Sequence, residues 1–168
     1  MNCNQLNDLC KKDNCNHPKI IFVTDPNAET GLRAFGGRYN DETQVIQLVV
    51  GSTQQIQLPS TMPNRRTSYS GNTIQINEAG VYEINYFMNA SVEVGALVTL
   101  AVRKNGENIE STVIERLLEA DTGNFYTGST IVELQSGDEI DMAISALVAV
   151  GVTLGTGVNA TLSVKKLN

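Results

Sequence analysis

The sequence predicts an all-β sandwich or jelly roll. Three observations carry that expectation. Apolar and polar residues alternate over long stretches, turn residues punctuate them at regular spacing, and the composition is 41% hydrophobic but only 5% aromatic, with no Trp. A core built from Val, Ile, Leu and Ala suits strands better than helices. At 168 residues the chain is long enough to bury such a core within one domain.

Taken in order, residues 1–31 form a polar, Asn-rich block closed by "DPNAETG". Inside it, "KIIFVTD" reads as a short strand that Pro18 and Pro26 stop from extending. From Leu32 onward the texture changes to short strand-like runs separated by Gly, Asn, Asp and Ser. In "GVYEINYFMNASVEV", Tyr82, Ile84, Tyr86, Met88 and Ala90 take one face, and Glu83, Asn85, Asn89 and Ser91 the other. "LVTLAVRKNGENIESTVI" gives two runs joined at Asn105-Gly106, residues that tolerate the positive φ of a tight hairpin. A single stretch, "IERLLEAD" (114–121), could form a helical turn or two. "GSTIVELQSGDEIDMAI" repeats the hairpin design with its corner at Ser136-Gly137-Asp138, after which Ile140, Met142 and Ile144 point one way and Asp141 faces out. "VNATLSVKKL" closes the series.

"ALVAVGVTLGTGVNA" (146–160) breaks the alternation, being continuously small and apolar. Such a strand is either buried on both sides or meets another subunit, and patch logic favours the subunit contact.

Several function classes are disfavoured. The formal net charge is −6, the opposite of the basic stripe of a nucleic-acid binder. The chain has no apolar run of 18 residues, so no transmembrane helix and no membrane partner are expected. It also lacks the positive-then-apolar start of a secretory signal, which points to synthesis in a cytoplasm. His17 is the only histidine and has no ordered nucleophile and acid partner, so no catalytic residue and no enzymatic activity are expected. There is no strand-to-helix phosphate loop, and no cofactor is expected. "GDEID" (137–141) reads as a solvated turn rather than a calcium site, and "NRRTS" (64–68) as a solvated basic loop.

All three cysteines, Cys3, Cys10 and Cys15, lie in the first block. An odd number of thiols cannot pair completely within one chain, so at least one stays free or bonds to a neighbour. With His17 they offer a three-Cys, one-His zinc set, yet the spacings x₆, x₄ and x₁ lack the tight Cys-x₂-Cys knuckle. No metal site is assigned on that pattern. A frayed tail with incidental cysteines is the plain alternative. Confinement of every thiol to one extremity favours a connector.

"AFGGRYN" (34–40), "TIQINEAGVYEINYFMNAS" (73–91), "AVRKNGENIESTVI" (101–114) and "GSTIVELQSGDEIDMAI" (128–144) together resemble the C-terminal domain of the BclA-type collagen-like exosporium glycoproteins of spore-forming bacteria. That domain is similar in turn to the globular heads of the complement and tumour-necrosis-factor (TNF) families. The resemblance implies a TNF-like jelly-roll sandwich of about ten antiparallel strands, assembled as a homotrimer on the spore surface without catalytic activity. It also implies that Leu147, Val148, Val150, Val152 and Leu154 stand near the three-fold axis or its neighbouring interface. This chain departs from the family in lacking the collagen-like shaft. By analogy with endospore appendages whose jelly-roll subunits join through cysteine-bearing arms, residues 1–31 are expected to be an extended connector arm and 32–168 the jelly-roll domain. The arm would dock Ile20, Ile21, Phe22 and Val23 onto a neighbour's sheet edge. Cys3, Cys10 and Cys15 would then lock the joint as intermolecular disulfides once the surroundings oxidise. The function expected is a self-assembling fibre or an anchored spore-surface protein; the rival is a trimeric, adhesive, ligand-binding head.

Overall fold

The longest run of alternation builds the longest strand. The computed structural model describes residues 31–167, which belong to one compact unit, Gly31–Asn168. The strands in chain order are β1 (Phe35–Asn40), β2 (Gln44–Leu48), β3 (Thr53–Gln55), β4 (Ser60–Thr61), β5 (Thr67–Ser70), β6 (Thr73–Ile76) and β7 (Gly80–Val92). They continue as β8 (Ala96–Lys104), β9 (Glu107–Asn108), β10 (Ile114–Leu118), β11 (Asn124–Leu134), β12 (Glu139–Ala146), β13 (Val150–Leu154) and β14 (Ala160–Lys166). One 3₁₀ turn, Glu110–Thr112, interrupts them. Several strands are only two or three residues long, and the fourteen segments make two antiparallel sheets packed as a sandwich.

β7 organises sheet A. Tyr82, Ile84, Tyr86, Met88, Ala90 and Val92 point inward and are buried, while the residues between them face outward. One edge of β7 pairs antiparallel with β11 from Gly80 to Ala90. The other edge is shared: β14 pairs with Tyr82–Met88, and β13 takes over at Ser91 and Val92. β14 continues to β1 and then to β4, and β13 continues to β2. Sheet B runs β10-β8-β12-β6-β5, with β9 beside β8 and β3 beside β12.

The core lies between the sheets. Ile74, Ile76, Val98, Leu100, Val102, Ile140, Met142 and Ile144 of sheet B meet the inward face of β7 and the Leu162 and Val164 side chains of β14. Each large aliphatic side chain removed from water contributes about 1.5–3 kcal/mol. The buried tyrosines reach backbone acceptors with their hydroxyls, since a buried polar group needs a partner. Tyr86 Oη donates to the Thr112 carbonyl at 3.1 Å and Tyr126 Oη to the Val98 carbonyl at 3.0 Å. Burial pushes the Tyr126 phenol up to about 12. Thr112 Oγ1 in turn accepts from Val102 N at 2.9 Å, fixing the turn between β9 and β10 onto β8.

Two glycine positions are required by geometry. At Asn105-Gly106 the φ angles are 54° and 87°, the left-handed pair that the hairpin between β8 and β9 demands. Gly128 faces Tyr86 across the β7–β11 ladder, and a Cβ there would stand 2.3 Å from Tyr86 Oη. The tyrosine ring therefore lies over the space that only glycine leaves open.

Three sequence expectations are corrected. Ile114–Leu118 is strand rather than helical turn, because it completes a five-residue ladder on the β8 edge and buries Leu118. Asp141 leaves the core face but is only 6% exposed. Arg103, its ladder neighbour, donates to it through Nε and Nη2 at 2.7 Å each, and Gln55 Nε2 does so at 2.7 Å. The segment 146–160 is not one continuous strand: β13 lies between β2 and β7, and Val152 and Leu154 are buried in the subunit's own core.

Glu78 clamps the pole where the chain enters the sandwich. Its carboxylate takes Lys166 Nζ at 2.5 Å, Arg66 Nη1, and Arg33 Nε at 3.7 Å. Lys166, only 8% exposed, holds its backbone N–H on the Ala34 carbonyl at 2.8 Å. Hydrogen bonds from Lys166 first and Arg66 second lower the Glu78 carboxyl from 4.5 to about 2.

Gly128→Ala is expected to destabilise the fold by about 1–3 kcal/mol through displacement of Tyr86, read as a fall in the thermal midpoint. Glu78 has a folded-state pKa below its unfolded value, so its contribution is complete above about 4.5 and lost as pH falls through about 2. Glu78→Gln should therefore melt below the parent protein at neutral pH. The gap should narrow steadily in melts recorded from about pH 5 down to about pH 2.

Candidate functional site

Cross-strand pairing aligns the outward residues of β1, β14, β7 and β11 into rows. Phe35, Lys165, Glu83 and Ile131 form one row, and Gly37, Ser163, Asn85 and Ser129 the next. Tyr39, Thr161, Phe87 and Thr127 follow, and then Asn89 beside Phe125. A sheet face meant for water should be dominated by charges and small polar groups. Here Phe125 is 55% and Ile131 63% exposed, while Phe35, Tyr39 and Phe87 are half-buried. The Phe87 and Phe125 rings lie 6.2 Å apart, within the range of favourable aromatic pairs. The ion pair of these rows joins Lys165 Nζ to Glu83 Oε2 at 2.9 Å, and the Lys165 hydrogen bond lowers the Glu83 carboxyl.

Two poles bound this face. At the lower pole stand Ala34, Glu78 and Lys166, where the chain arrives from its N-terminal end. At the upper pole β2 and β13 end their ladder at Leu48 and Val150, and β7 ends at Val92 opposite Val152. Loops Val49–Ser52, Glu93–Gly95 and Leu147–Ala149 leave there together. They expose Val49, Val50, Val94, Leu147 and Val148, with Glu93 as the one charged side chain among them.

Beside the upper pole the outer face carries an open cleft of about 470 Å³ lined by Asn89, Ser91, Glu93, Asp121, Thr122 and Thr153 among others. Asn89 Oδ1 is buried there and accepts no hydrogen bond from the described residues. No group of three or more His, Cys, Asp or Glu able to hold a metal ion occurs among the described residues.

Of the residues singled out by sequence, Leu147 (70% exposed) and Val148 stand at the upper pole and Val150 is half-buried beside them. Val152 and Leu154 lie inside the subunit, so the structure brings only part of this set to the surface. Cys3, Cys10, Cys15 and the run Ile20, Ile21, Phe22 and Val23 fall outside the described residues. Sequence reasoning missed Phe125 and Ile131. The signal was present in "NFYTGSTIVEL", where the alternation that buries Tyr126 and Leu134 puts two large apolar residues on the opposite face. No helix among the described residues is long and apolar enough to cross a membrane.

Known proteins place this geometry. The fold is similar to that of murine APRIL at pH 5.0, with 15% identity and a TM-score of 0.60 over 80% of this chain and 98% of that one. It is similar to the PRD1 vertex protein P5, with 13% identity and a TM-score of 0.56 over 82% and 99%. The globular domain of the zebrafish complement 1qA protein gives 13% identity and a TM-score of 0.51 over 80% and 98%. At such identities these likenesses establish the jelly roll and nothing more. No curated protein matches the chain. The family described as BclA C-terminal domain matches residues 36–168, from the second residue of β1 through every strand of both sheets. The chain belongs to the BclA C-terminal domain family.

Proposed function

We propose that this protein is a structural component of the spore surface. Its jelly roll forms a homotrimer through the outer face of sheet A, and residues 1–31 attach each trimer to a neighbour, in a fibre or at an anchor point. The observation that carries the reading is the set of large apolar side chains on that face, where Phe125 and Ile131 of β11 stand over half exposed and Phe35, Tyr39 and Phe87 are half-buried. Large apolar side chains left in water on an ordered sheet face point to an association surface. Membership of the BclA C-terminal domain family supports a spore-surface location. Among the described residues the core cluster runs from Ala34 to Val164.

Attachment works by strand docking followed by covalent locking. Ile20, Ile21, Phe22 and Val23 supply an apolar strand whose backbone groups add to an open sheet edge. Three such segments per trimer engage together, so weak single contacts sum to a firm joint. Cys3, Cys10 and Cys15 oxidise to intermolecular disulfides as the mother cell lyses. A second reading, a trimeric head that binds a ligand, is favoured by the polar cleft with the unpartnered Asn89 Oδ1.

Phe125→Glu combined with Ile131→Glu changes exposed residues and should leave the fold intact while converting the trimer to a monomer, measured by sedimentation equilibrium. A trimeric variant of unchanged mass rejects this face. Replacing Cys3, Cys10 and Cys15 with Ser should leave assembly in place and abolish its resistance to boiling in detergent. Equal resistance of variant and parent would remove the disulfides from the account.

A further inference from the structure

The chain holds a single Asn-Gly pair, Asn105-Gly106, and the hairpin between β8 and β9 presents it to solvent. Both residues are exposed, and a Cβ built on Gly106 would meet nothing within 4 Å. We propose that Asn105 is a modification site, where the Gly106 backbone nitrogen displaces the side-chain amide nitrogen as ammonia. The fold slows this step and is loosened by its product. The inference is independent of how the subunits associate.

The chemistry follows from the pair itself. Solvent hydroxide takes the Gly106 N–H proton, and the nitrogen adds to Asn105 Cγ, forming a new C–N bond. The bond from Cγ to Nδ2 then breaks, and Nδ2 leaves as ammonia after water returns the proton and regenerates hydroxide. The cyclic imide that remains takes up water. Opening at Cγ gives aspartate; opening at the Asn105 backbone carbonyl leaves the main chain running through Cγ, as isoaspartate. Nothing is oxidised or reduced. Glycine favours the attack because it has no side chain to obstruct the close approach of its own nitrogen.

The structure holds both atoms of the reacting amide. Asn105 Nδ2 donates to Asp138 Oδ1 at 2.8 Å, and Asn105 Oδ1 accepts from Glu139 N at 2.8 Å. The Asn105 backbone N–H donates to the Glu139 carbonyl at 2.8 Å. Attack turns planar Cγ tetrahedral and expels Nδ2, so these contacts must loosen first. Hydrogen bonds of ordinary net strength then slow the reaction about ten-fold.

The same contacts define what the product does. Asp138 ties three segments together: Oδ2 accepts from Gln135 N at 2.8 Å, its carbonyl accepts from Ile76 N at 2.8 Å, and Oδ1 receives Asn105. An acid at position 105 removes that donor and sets two carboxylates where a hydrogen bond stood, so like charges meet. Isoaspartate also lengthens the turn, whose φ angles of 54° and 87° suit the unmodified backbone. Either product releases the β8–β9 hairpin from the corner before β12.

The test incubates the full-length chain, folded and in urea, at one mildly alkaline pH. Peptide mass spectrometry reads conversion at Asn105, with the exposed Asn108 as internal reference. The folded parent should convert at Asn105 ahead of Asn108, about ten-fold more slowly than the unfolded chain. Asp138→Ala frees the amide and should remove most of that difference, with circular dichroism verifying the fold. Asp138→Asn, the milder change, weakens the same bond by removing its charge and should raise the folded rate a few-fold. Asn105→Asp imitates one product and should lower the thermal midpoint. Aspartate tolerates the left-handed backbone as asparagine does, so the loss reports the missing donor. Conversion at Asn108 first, or none at Asn105, overturns the site. Equal rates in the folded and unfolded parent, or parent-like rates in both folded Asp138 variants, overturn the restraint. An Asn105→Asp protein that melts with the parent or above it overturns the loosening.

Discussion

Everything in this molecule takes its register from β7. Thirteen residues of strict alternation put six side chains into the core, and the backbone of the same strand pairs with three others. A one-residue slip of β7 would turn Tyr82, Ile84, Tyr86 and Met88 to the outside and Glu83, Asn85 and Asn89 to the inside. The tyrosines make the constraint tighter, because their hydroxyls must reach named backbone carbonyls. Tyr86 passes over Gly128 to do so, which couples the spacing of β7 and β11 to the turn that carries Thr112.

That arrangement separates what the subunit buries from what it leaves exposed. Among the described residues the inward face draws its core from residues 34–164. The outward face inherits its composition from the same strands, and alternation leaves Phe87, Phe125 and Ile131 there, with Ile131 opposite Glu83. At the lower pole the Glu78 cluster fixes where the chain enters, and at the upper pole aliphatic loops collect around β2 and β13. The large apolar side chains of the outer face and the aliphatic loops of the upper pole thus stand on different parts of the subunit.

Much of the fold was legible in the sequence because it follows from local rules. The faces of β7, the Asn105-Gly106 turn and the corner before β12 are set by residue periodicity and by backbone preferences. What was not legible depends on partners distant in sequence. Ile114–Leu118 has helical composition, and only the open edge of β8 makes it a strand. Asp141 looks solvent-facing until the ladder sets Arg103 beside it. The small apolar residues of 146–160 suggested a single interface, whereas the structure divides them between the core, at Val152 and Leu154, and the upper pole, at Leu147 and Val148. Phe125 and Ile131 were overlooked because each is unexceptional alone, and their significance comes from the rows that β7 and β14 complete.

The central claim is that the outer face of sheet A is covered in the assembled protein. Hydroxyl-radical footprinting of the intact, folded protein in solution measures this directly at the aromatic rings of that face. The account predicts that Phe125, 55% exposed in the single subunit, is labelled as slowly as the core residue Tyr126. Labelling of Phe125 at the rate of an open surface phenylalanine would contradict it.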